Sequence, residues 1–272
     1  MATAKTPPVG GQGVRLFTCG HSFHWWVGPI LEELAASAGI AGHRTVGCSS
    51  IGGSRTIQHW EVPEEKNEVK KALRAGAVDV LTLACMTHPD EGIRLFAELA
   101  AEHNPQVRVT LQELWLPEDR FPFEPNAQTR TSVEQFNGST PETLAPPLAA
   151  YAREMDGFAA AVNADLGRPV IFIVPDGQAT LKLRRKICAG QVPSLRRQSA
   201  LFTDSWGHPQ PPLQLLSAYC HFAVIYRRDP AGLPWPKVVA CAQQGDAQLN
   251  ADLQRFAWEA VTEHPMSGVG RG

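Results

Sequence analysis

The chain has 272 residues, a formal net charge of −2 and a pI of about 6.5. This length suits one sizeable α/β domain, and nothing in the composition demands two domains. The near-neutral charge argues against a nucleic-acid or anionic-membrane partner, and no apolar run has membrane-spanning length. The sequence does not indicate an oligomeric state.

Residues 1–13 are polar and rich in proline and glycine, which predicts a flexible N-terminal tail without the apolar core of a signal peptide. The cellular location therefore stays open between the cytoplasm and, where an export signal has been removed, a secreted or periplasmic one. The six cysteines are widely spaced and include no Cys-x-x-Cys pair, which argues against a zinc site or a small disulfide scaffold. One or two disulfides would imply export. The cysteines are Cys19, Cys48, Cys85, Cys188, Cys220 and Cys241.

Apolar runs that alternate with helical patterns predict strands joined by helices. The predicted strands are 14–19, 44–48, 78–84, 107–111 and 169–174. The predicted helices are 27–38, 64–75, 90–103, 144–166, 179–189, 211–226 and 250–263. This alternation implies parallel strands with right-handed crossovers and helices on both faces. The expected fold is therefore α/β, a flavodoxin-like three-layer α/β/α sandwich with a central five-stranded parallel sheet.

The alternation of strands and helices breaks between residues 113 and 142, where aromatic residues and prolines replace the periodic patterns. A loop of this length inside a compact domain is usually functional or disordered. We interpret 113–142 as an insertion over the carboxyl edge of the sheet, where open α/β sheets bind ligands. The expected organisation is one domain over 14–264, followed by a C-terminal tail over 265–272.

The first candidate for chemistry is Ser22, which follows the first predicted strand and a glycine and precedes the first helix. A serine on such a turn stands at the carboxyl end of a parallel strand, near a helix N-terminus that can hold an anion. The alternative is that Ser22 only caps the helix.

The second candidate is the pair of Asp204 and His208, four residues apart in a loop before the helix 211–226. A serine nucleophile needs a base to take its proton, and the base needs a carboxylate to fix its tautomer. The third candidate is the Gly52-Gly53-Ser54 loop, whose backbone N–H groups could approach an oxyanion closely. Taken alone, the spacing of Asp204 and His208 is a weak signal that a turn with a helix cap also explains, and the Gly52-Gly53-Ser54 loop is better explained by an ordinary turn.

The order of the three motifs resembles that of the SGNH (GDSL-type) hydrolase family. Residues 20–23, Gly-His-Ser-Phe, are similar to the family's first block, in the branch that reads Gly-Asn-Ser-Phe. Gly53 is similar to the second block, and residues 204–209, Asp-x-x-x-His-Pro, to the last. The resemblance runs from about residue 14 to residue 234. It implies the flavodoxin-like fold and hydrolysis of esters, often acetyl or short acyl groups on carbohydrates.

Carried over residue by residue, the resemblance implies that Ser22 is the nucleophile, His208 the general base and Asp204 its orienting carboxylate. The backbone N–H groups of Ser22 and Gly53 would be oxyanion donors. The implied reaction passes through an acyl-enzyme on Ser22, and it needs no metal and no organic cofactor. The implied partner is a small-molecule or carbohydrate ester.

The sequence departs from the family pattern at three points. The residue before the serine is His21 where the family usually has Asp or Asn, and the last block holds one residue more between its acid and its histidine. The third block, normally Gly-x-Asn-Asp, has no counterpart after the third strand. The third oxyanion donor would then come from His88, Thr87 or Gln112.

Tryptophans near the predicted carboxyl edge suggest how a substrate could be bound, because an indole can stack on a sugar ring or an aromatic acyl group. The candidates for substrate binding are Trp25, Trp60, Trp115 and Trp206. At least two of the tryptophans near this edge are expected to serve packing instead. His24 and His59 have no evident partner and are expected to be surface or structural residues.

The sequence leaves rival functions open. A binding protein on the same fold would have lost catalysis together with the third-block Asn. An acyltransferase would pass the acyl group to an alcohol other than water. A phosphoesterase would want a metal cluster of Asp and His, which the spacing does not indicate.

Overall fold

The structure is a computed structural model and describes residues 12–86, 88–124 and 127–270. Its described residues contain a five-stranded, all-parallel sheet in the order β2-β1-β3-β4-β5. The strands are β1 (Arg15–Gly20), β2 (Arg44–Ser50), β3 (Val80–Ala84), β4 (Arg108–Gln112) and β5 (Ile171–Val174). The predicted α/β fold with a five-stranded parallel sheet is confirmed.

Helices connect the strands and pack on the sheet. They are α1 (Val27–Ser37), α2 (Thr56–Trp60), α3 (Glu68–Arg74), α4 (Glu91–His103), α5 (Pro141–Asp165), α6 (Asp176–Cys188), α7 (Pro211–Tyr226) and α8 (Ala247–Glu263). Helix α7 is apolar all round and almost completely buried, because it packs between α1 and α8 as well as against β5. Among the residues that the structure describes, no helix combines the length and apolar composition needed to cross a membrane.

Two elements differ from the sequence expectation. The predicted helix 64–75 is interrupted at Asn67, whose side chain accepts a hydrogen bond from the Lys70 N–H at 3.0 Å and so caps α3. Helix α2 was not predicted, because five residues are too few to show a helical period. The six cysteines are free thiols.

The insertion 113–142 folds around two short 3₁₀ turns, Pro117–Asp119 and Val133–Gly138. Leu116, Glu118 and Asp119 have positive φ angles of 56°, 54° and 60°. Such a conformation costs a non-glycine residue about 1–3 kcal/mol and persists only when the surroundings impose it.

Buried ion pairs hold the insertion in place. The Asp119 carboxylate receives the guanidinium of Arg184 on α6 and, at 3.0 Å, that of Arg130. The Glu118 carboxylate accepts the backbone N–H groups of Thr129 and Arg130, both at 3.0 Å. The side chains of Asp119, Arg184 and Glu118 are each at most 2% exposed. The Arg184 contact therefore fixes the insertion to α6, and the Glu118 contacts hold the insertion together.

The C-terminal tail packs on the sheet as far as it is described. The Met266 carbonyl accepts the Ile173 N–H at 3.0 Å, so this segment runs beside β5. Ser267 is fully buried and Val269 is 8% exposed. Of the two predicted tails, residues 1–11 and 271–272 lie outside the described residues.

We expect Asp119→Asn to lower the free energy of unfolding by about 3 kcal/mol, because it leaves the Arg184 guanidinium buried without its counter-charge. Urea denaturation at pH 7 measures this change. The matched control is Asp165→Asn, since Asp165 pairs with Arg94 at the surface at 2.6 Å and such pairs contribute at most about 1 kcal/mol. Equal effects of the two substitutions would contradict a clamping role for Asp119.

Candidate active site

The turn between β1 and α1 presents Ser22 at the carboxyl end of the sheet. The carbonyl of His21 accepts the N–H groups of His24 at 2.8 Å and Trp25 at 3.1 Å, which closes the turn. A side chain at Gly20 would lie 2.9 Å from the His24 ring, so only glycine fits there. The N-cap of α1 is Trp26, and therefore Ser22 does not cap the helix.

The His21 side chain closes this turn at the position where the SGNH pattern usually has Asp or Asn. Its Nδ1 accepts the N–H of Phe23, two residues on, at 3.3 Å. An Asp or Asn oxygen makes the same contact in an Asx-turn. Burial lowers the pKa of His21 to about 3, so the ring is neutral and Nδ1 stays available as an acceptor.

Ser22, His208 and Asp204 form one hydrogen-bonded chain. The Ser22 Oγ lies 2.7 Å from His208 Nε2, and His208 Nδ1 lies 2.7 Å from Asp204 Oδ2. A carboxylate at Nδ1 favours the tautomer with a proton there, which leaves Nε2 as the acceptor for the serine proton. The order of these groups is that of a nucleophile, a base and an orienting acid.

The extra residue between Asp204 and His208 is accommodated by a tight turn. The Asp204 Oδ1 accepts the N–H groups of Trp206, Gly207 and His208 at 3.0, 3.1 and 3.3 Å. Gly207 has a φ of 93°, which other residues rarely adopt. The longer spacing therefore still brings the carboxylate to the histidine.

Two aromatic side chains, Phe23 and Trp115, support the His208 ring and its loop. The Phe23 ring meets it edge-on, with 4.7 Å between the ring centroids. The Trp115 indole packs on Phe23 and donates its N–H to the Gly207 carbonyl at 3.0 Å. Trp115 therefore supports the loop 204–209 that carries His208, hereafter the histidine loop, and is itself only 4% exposed.

The Gly52-Gly53 loop lies opposite the serine turn. In the described part of the chain, the N–H groups of Ser22 and Gly53 donate to no other residue. Gly53 has a φ of 62°, and both residues line the same cavity. Two free backbone donors beside a serine oxygen are suited to hold an oxyanion.

His59 holds both ends of this loop through hydrogen bonds. Its Nδ1 lies 2.7 Å from the Ser49 hydroxyl at the end of β2, and its Nε2 lies 2.7 Å from the Ser54 hydroxyl just after Gly53. Burial lowers the pKa of His59 to about 4. His59 is thus a structural residue with two partners, which the sequence did not show.

Two of the three candidates for a third oxyanion donor, His88 and Gln112, lie outside the lining of the cavity that contains Ser22 and Gly53. His88 is half exposed, and its Nδ1 lies 2.8 Å from Glu154. Gln112 is completely buried, and its amide donates to the Phe23 carbonyl at 3.1 Å. Thr87 lies outside the described residues. Neither His88 nor Gln112 is placed to donate to an oxyanion at Ser22, because neither side chain reaches the cavity.

Gln112 instead anchors the serine turn from within the core. Its Oε1 lies 2.6 Å from Nδ1 of His24 and 3.2 Å from Nε2 of His221 on α7. The Thr82 hydroxyl lies 3.2 Å from His24 Nε2. Burial lowers the pKa of His24 to about 4, although the bond to Gln112 acts in the opposite direction. The network joins β3, β4 and α7 to the turn that carries Ser22.

A cavity of about 440 Å³ opens at Ser22 and His208. Besides these two residues and the Gly52-Gly53 backbone, it is lined by apolar side chains, namely Phe23, Met86, Pro117, Phe123 and Trp206. Pro117 and Phe123 belong to the insertion, which therefore forms a wall of the site.

Among the four tryptophans predicted to bind substrate, the structure places only Trp206 in this lining. Trp60 packs edge-on against Phe96, with the ring centroids 5.1 Å apart, and Trp25 is 46% exposed outside the lining. Trp25, Trp60 and Trp115 therefore lie outside the described lining of this cavity. The reason is that tryptophan is mainly a packing residue, and two of the three pack into the protein.

One group of side chains within the described residues has ligand atoms close enough to hold a metal, namely Glu113, Asp156 and His264, within 4.8 Å of one another. None of the three lines the cavity. His264 Nδ1 accepts the Met266 N–H at 3.2 Å, so in the neutral ring Nε2 carries the proton and faces Asp156 at 3.4 Å. Burial raises the pKa of Glu113 well above its usual range.

Comparison with known proteins gives one point of reference. No family model and no curated protein matches the chain. Among solved structures, the chain is similar to a putative SGNH hydrolase from Slackia heliotrinireducens, with 15% sequence identity and a TM-score of 0.42. The match covers 77% of this chain and 97% of that chain.

Burial of neutral His24 generates a pH dependence of stability. Its pKa of about 4 lies below the usual value of 6.5, so the unfolded chain binds more protons between these pH values and protonation favours unfolding. The quantity to compare is the unfolding free energy of wild type minus that of His24→Asn. We expect this difference to fall by about 2 kcal/mol from pH 7 to pH 5. Urea denaturation at both pH values measures it.

The control is Gln106→Asn, at an exposed residue that does not titrate, and we expect its difference from wild type to be the same at pH 7 and pH 5. If the advantage over His24→Asn were also the same at both values, then His24 would not be held neutral by the fold.

Proposed function

We propose that the protein is a serine carboxylic ester hydrolase of the SGNH type. The observation that carries the proposal is the hydrogen-bonded chain from Asp204 through His208 to Ser22, which ends at a cavity beside free backbone N–H groups. A helix cap or an ordinary turn requires no such chain. This geometry is what acyl transfer to a serine needs.

In the first half of the reaction, His208 Nε2 takes the Ser22 proton while Oγ attacks the ester carbonyl. The N–H groups of Ser22 and Gly53 stabilise the oxyanion that forms, and the Asp204 carboxylate stabilises the imidazolium. The imidazolium then gives its proton to the leaving alcohol, and the bond between the carbonyl carbon and the alcohol oxygen breaks.

In the second half, water attacks the acyl-enzyme. His208 takes a proton from the water, and the tetrahedral intermediate collapses to release the carboxylic acid. The proton returns to the Ser22 oxygen, so the enzyme is regenerated. These steps use only the side chains and backbone groups named above.

A catalytically weakened binding protein is the second candidate. It is favoured by one observation: among the described residues that line the cavity, none supplies the side-chain amide of the family's third block. Loss of one oxyanion donor costs about 10²- to 10³-fold in turnover. The intact chain of Asp204, His208 and Ser22 favours the hydrolase.

The first test is hydrolysis of p-nitrophenyl acetate and butyrate with EDTA present. We expect Ser22→Ala to lower kcat/KM by about 10³-fold or more, because the nucleophile is lost, and Asp204→Asn to lower it by about 10²- to 10⁴-fold, because the tautomer of His208 is no longer fixed. Ser37→Ala, an exposed serine at the end of α1, is the matched control and should match wild type.

Equal turnover by wild type and folded Ser22→Ala on both esters would favour the binding protein. If Asp204→Asn matched wild type, another acid would have to orient His208.

A second test concerns the loop that carries Gly53. We expect Ser54→Ala to lower kcat about tenfold with KM nearly unchanged, because the loop loses its hydrogen bond to His59 and the Gly53 N–H is less well aimed at the oxyanion. Steady-state kinetics on p-nitrophenyl butyrate give the two constants. A rise in KM at constant kcat would instead mean that the loop serves ground-state binding.

A further inference from the structure

The walls of the cavity at Ser22 are apolar to an extent that an acetyl ester does not require. Five of the side chains that line it are hydrocarbon-rich, and no carboxylate, ammonium or guanidinium group is among its described lining residues. The polar groups, Ser22, His208 and the Gly53 backbone, are those that the reaction itself uses. Among the described lining residues, no other side chain carries a hydroxyl, amide or charged group with which to hold the hydroxyls of a sugar.

The volume also exceeds what a short acyl group fills. At about 440 Å³ the cavity falls in the range of roughly 300–1,000 Å³ that encloses drug-sized ligands. An acetyl group would leave most of this space to water beside Phe23, Met86 and Phe123. Hydrocarbon displaces such water favourably, and polar groups without partners do so at a cost.

Contacts within the protein hold the apolar wall in place. Phe123 and Trp206 meet at 73° with 5.9 Å between their ring centroids, which joins the insertion to the histidine loop. The Glu118 N–H donates to the Trp206 carbonyl at 3.3 Å, so the ion-paired part of the insertion also holds this wall. Because Phe123 is only 5% exposed, the wall is formed before a substrate arrives.

We infer that the substrate of this site is a hydrophobic ester, with a hydrocarbon group of about six or more carbons in the cavity, and not an acetylated carbohydrate. The inference rests on the proposed ester hydrolysis at Ser22. The hydrocarbon can belong to the acyl group or to the alcohol, because both flank the carbonyl that Ser22 attacks. Hydrophobic burial of this group raises kcat/KM through binding.

The test measures kcat/KM on two ester series, below the solubility limit of each ester. The first keeps p-nitrophenol and lengthens the acyl group from acetate through butyrate and hexanoate to octanoate. The second keeps the acetyl group and lengthens a linear alkyl alcohol, with released acid followed by titration. A buried methylene contributes a factor of about four, so we expect at least a hundredfold rise from end to end in one of the series.

A variant pair links the rise to the cavity. Met86→Gln puts an amide into the lining with little change in side-chain volume, and we expect it to lower the ratio of kcat/KM on the longest ester to that on the shortest about tenfold. Met266→Gln is the matched control, because Met266 is also partly buried but lies beside β5 and outside the lining. Its ratio should equal that of wild type.

The possible outcomes distinguish failure of this inference from failure of the proposed ester hydrolysis. A rise along the acyl series places the hydrocarbon in the acyl group, and a rise along the alcohol series places it in the alcohol. Ser22-dependent hydrolysis that is flat or falling along both series would overturn the inference and leave the ester hydrolase standing. An absence of Ser22-dependent hydrolysis on every ester, from folded protein, would overturn the proposed function itself. A ratio lowered equally by Met86→Gln and Met266→Gln would also contradict the cavity assignment.

Discussion

The hydrogen bond between Ser22 and His208 joins residues 186 positions apart, and its 2.7 Å length depends on the rest of the domain. The parallel sheet brings the end of β1 to the edge where the loop before α7 also lies. Gln112, His24 and His221 then fix the serine turn from the core, while Phe23 and Trp115 fix the histidine loop. Contacts from both sides set the positions of the Ser22 Oγ and the His208 Nε2.

The insertion 113–142 combines backbone strain with strong anchoring. Three residues with positive φ sit where Asp119 meets Arg184 and Glu118 holds the backbone of Thr129 and Arg130. The same segment supplies Pro117 and Phe123 to the cavity. The described part of the insertion therefore contributes to the cavity a wall that the rest of the domain anchors.

The strand and helix pattern was enough to predict the sheet, because buried parallel strands are short apolar runs separated by amphipathic helices. The motif order was enough to select Ser22, Asp204 and His208, which the structure brings together. The substrate-binding tryptophans could not be sorted from sequence, since an indole that packs and one that lines a cavity look alike along the chain. The partners of His24 and His59 were hidden for a related reason: Gln112 lies 88 residues from His24, and a serine near a histidine in sequence does not reveal a bond.

Two features of the described cavity lining have opposite effects on transition-state energy: no described lining residue supplies a third oxyanion donor, and the lining is largely apolar. An absent donor removes about 3–4 kcal/mol of transition-state stabilisation. Burial of four or five methylene groups against Met86, Phe123 and Trp206 returns a similar amount, at about 0.8 kcal/mol each. Binding energy from a remote hydrocarbon raises kcat/KM and can also hold the carbonyl over Ser22 in the attacking position. Under the proposed function, we therefore expect slow turnover of acetyl esters, which bury little, and faster turnover of esters that fill the cavity.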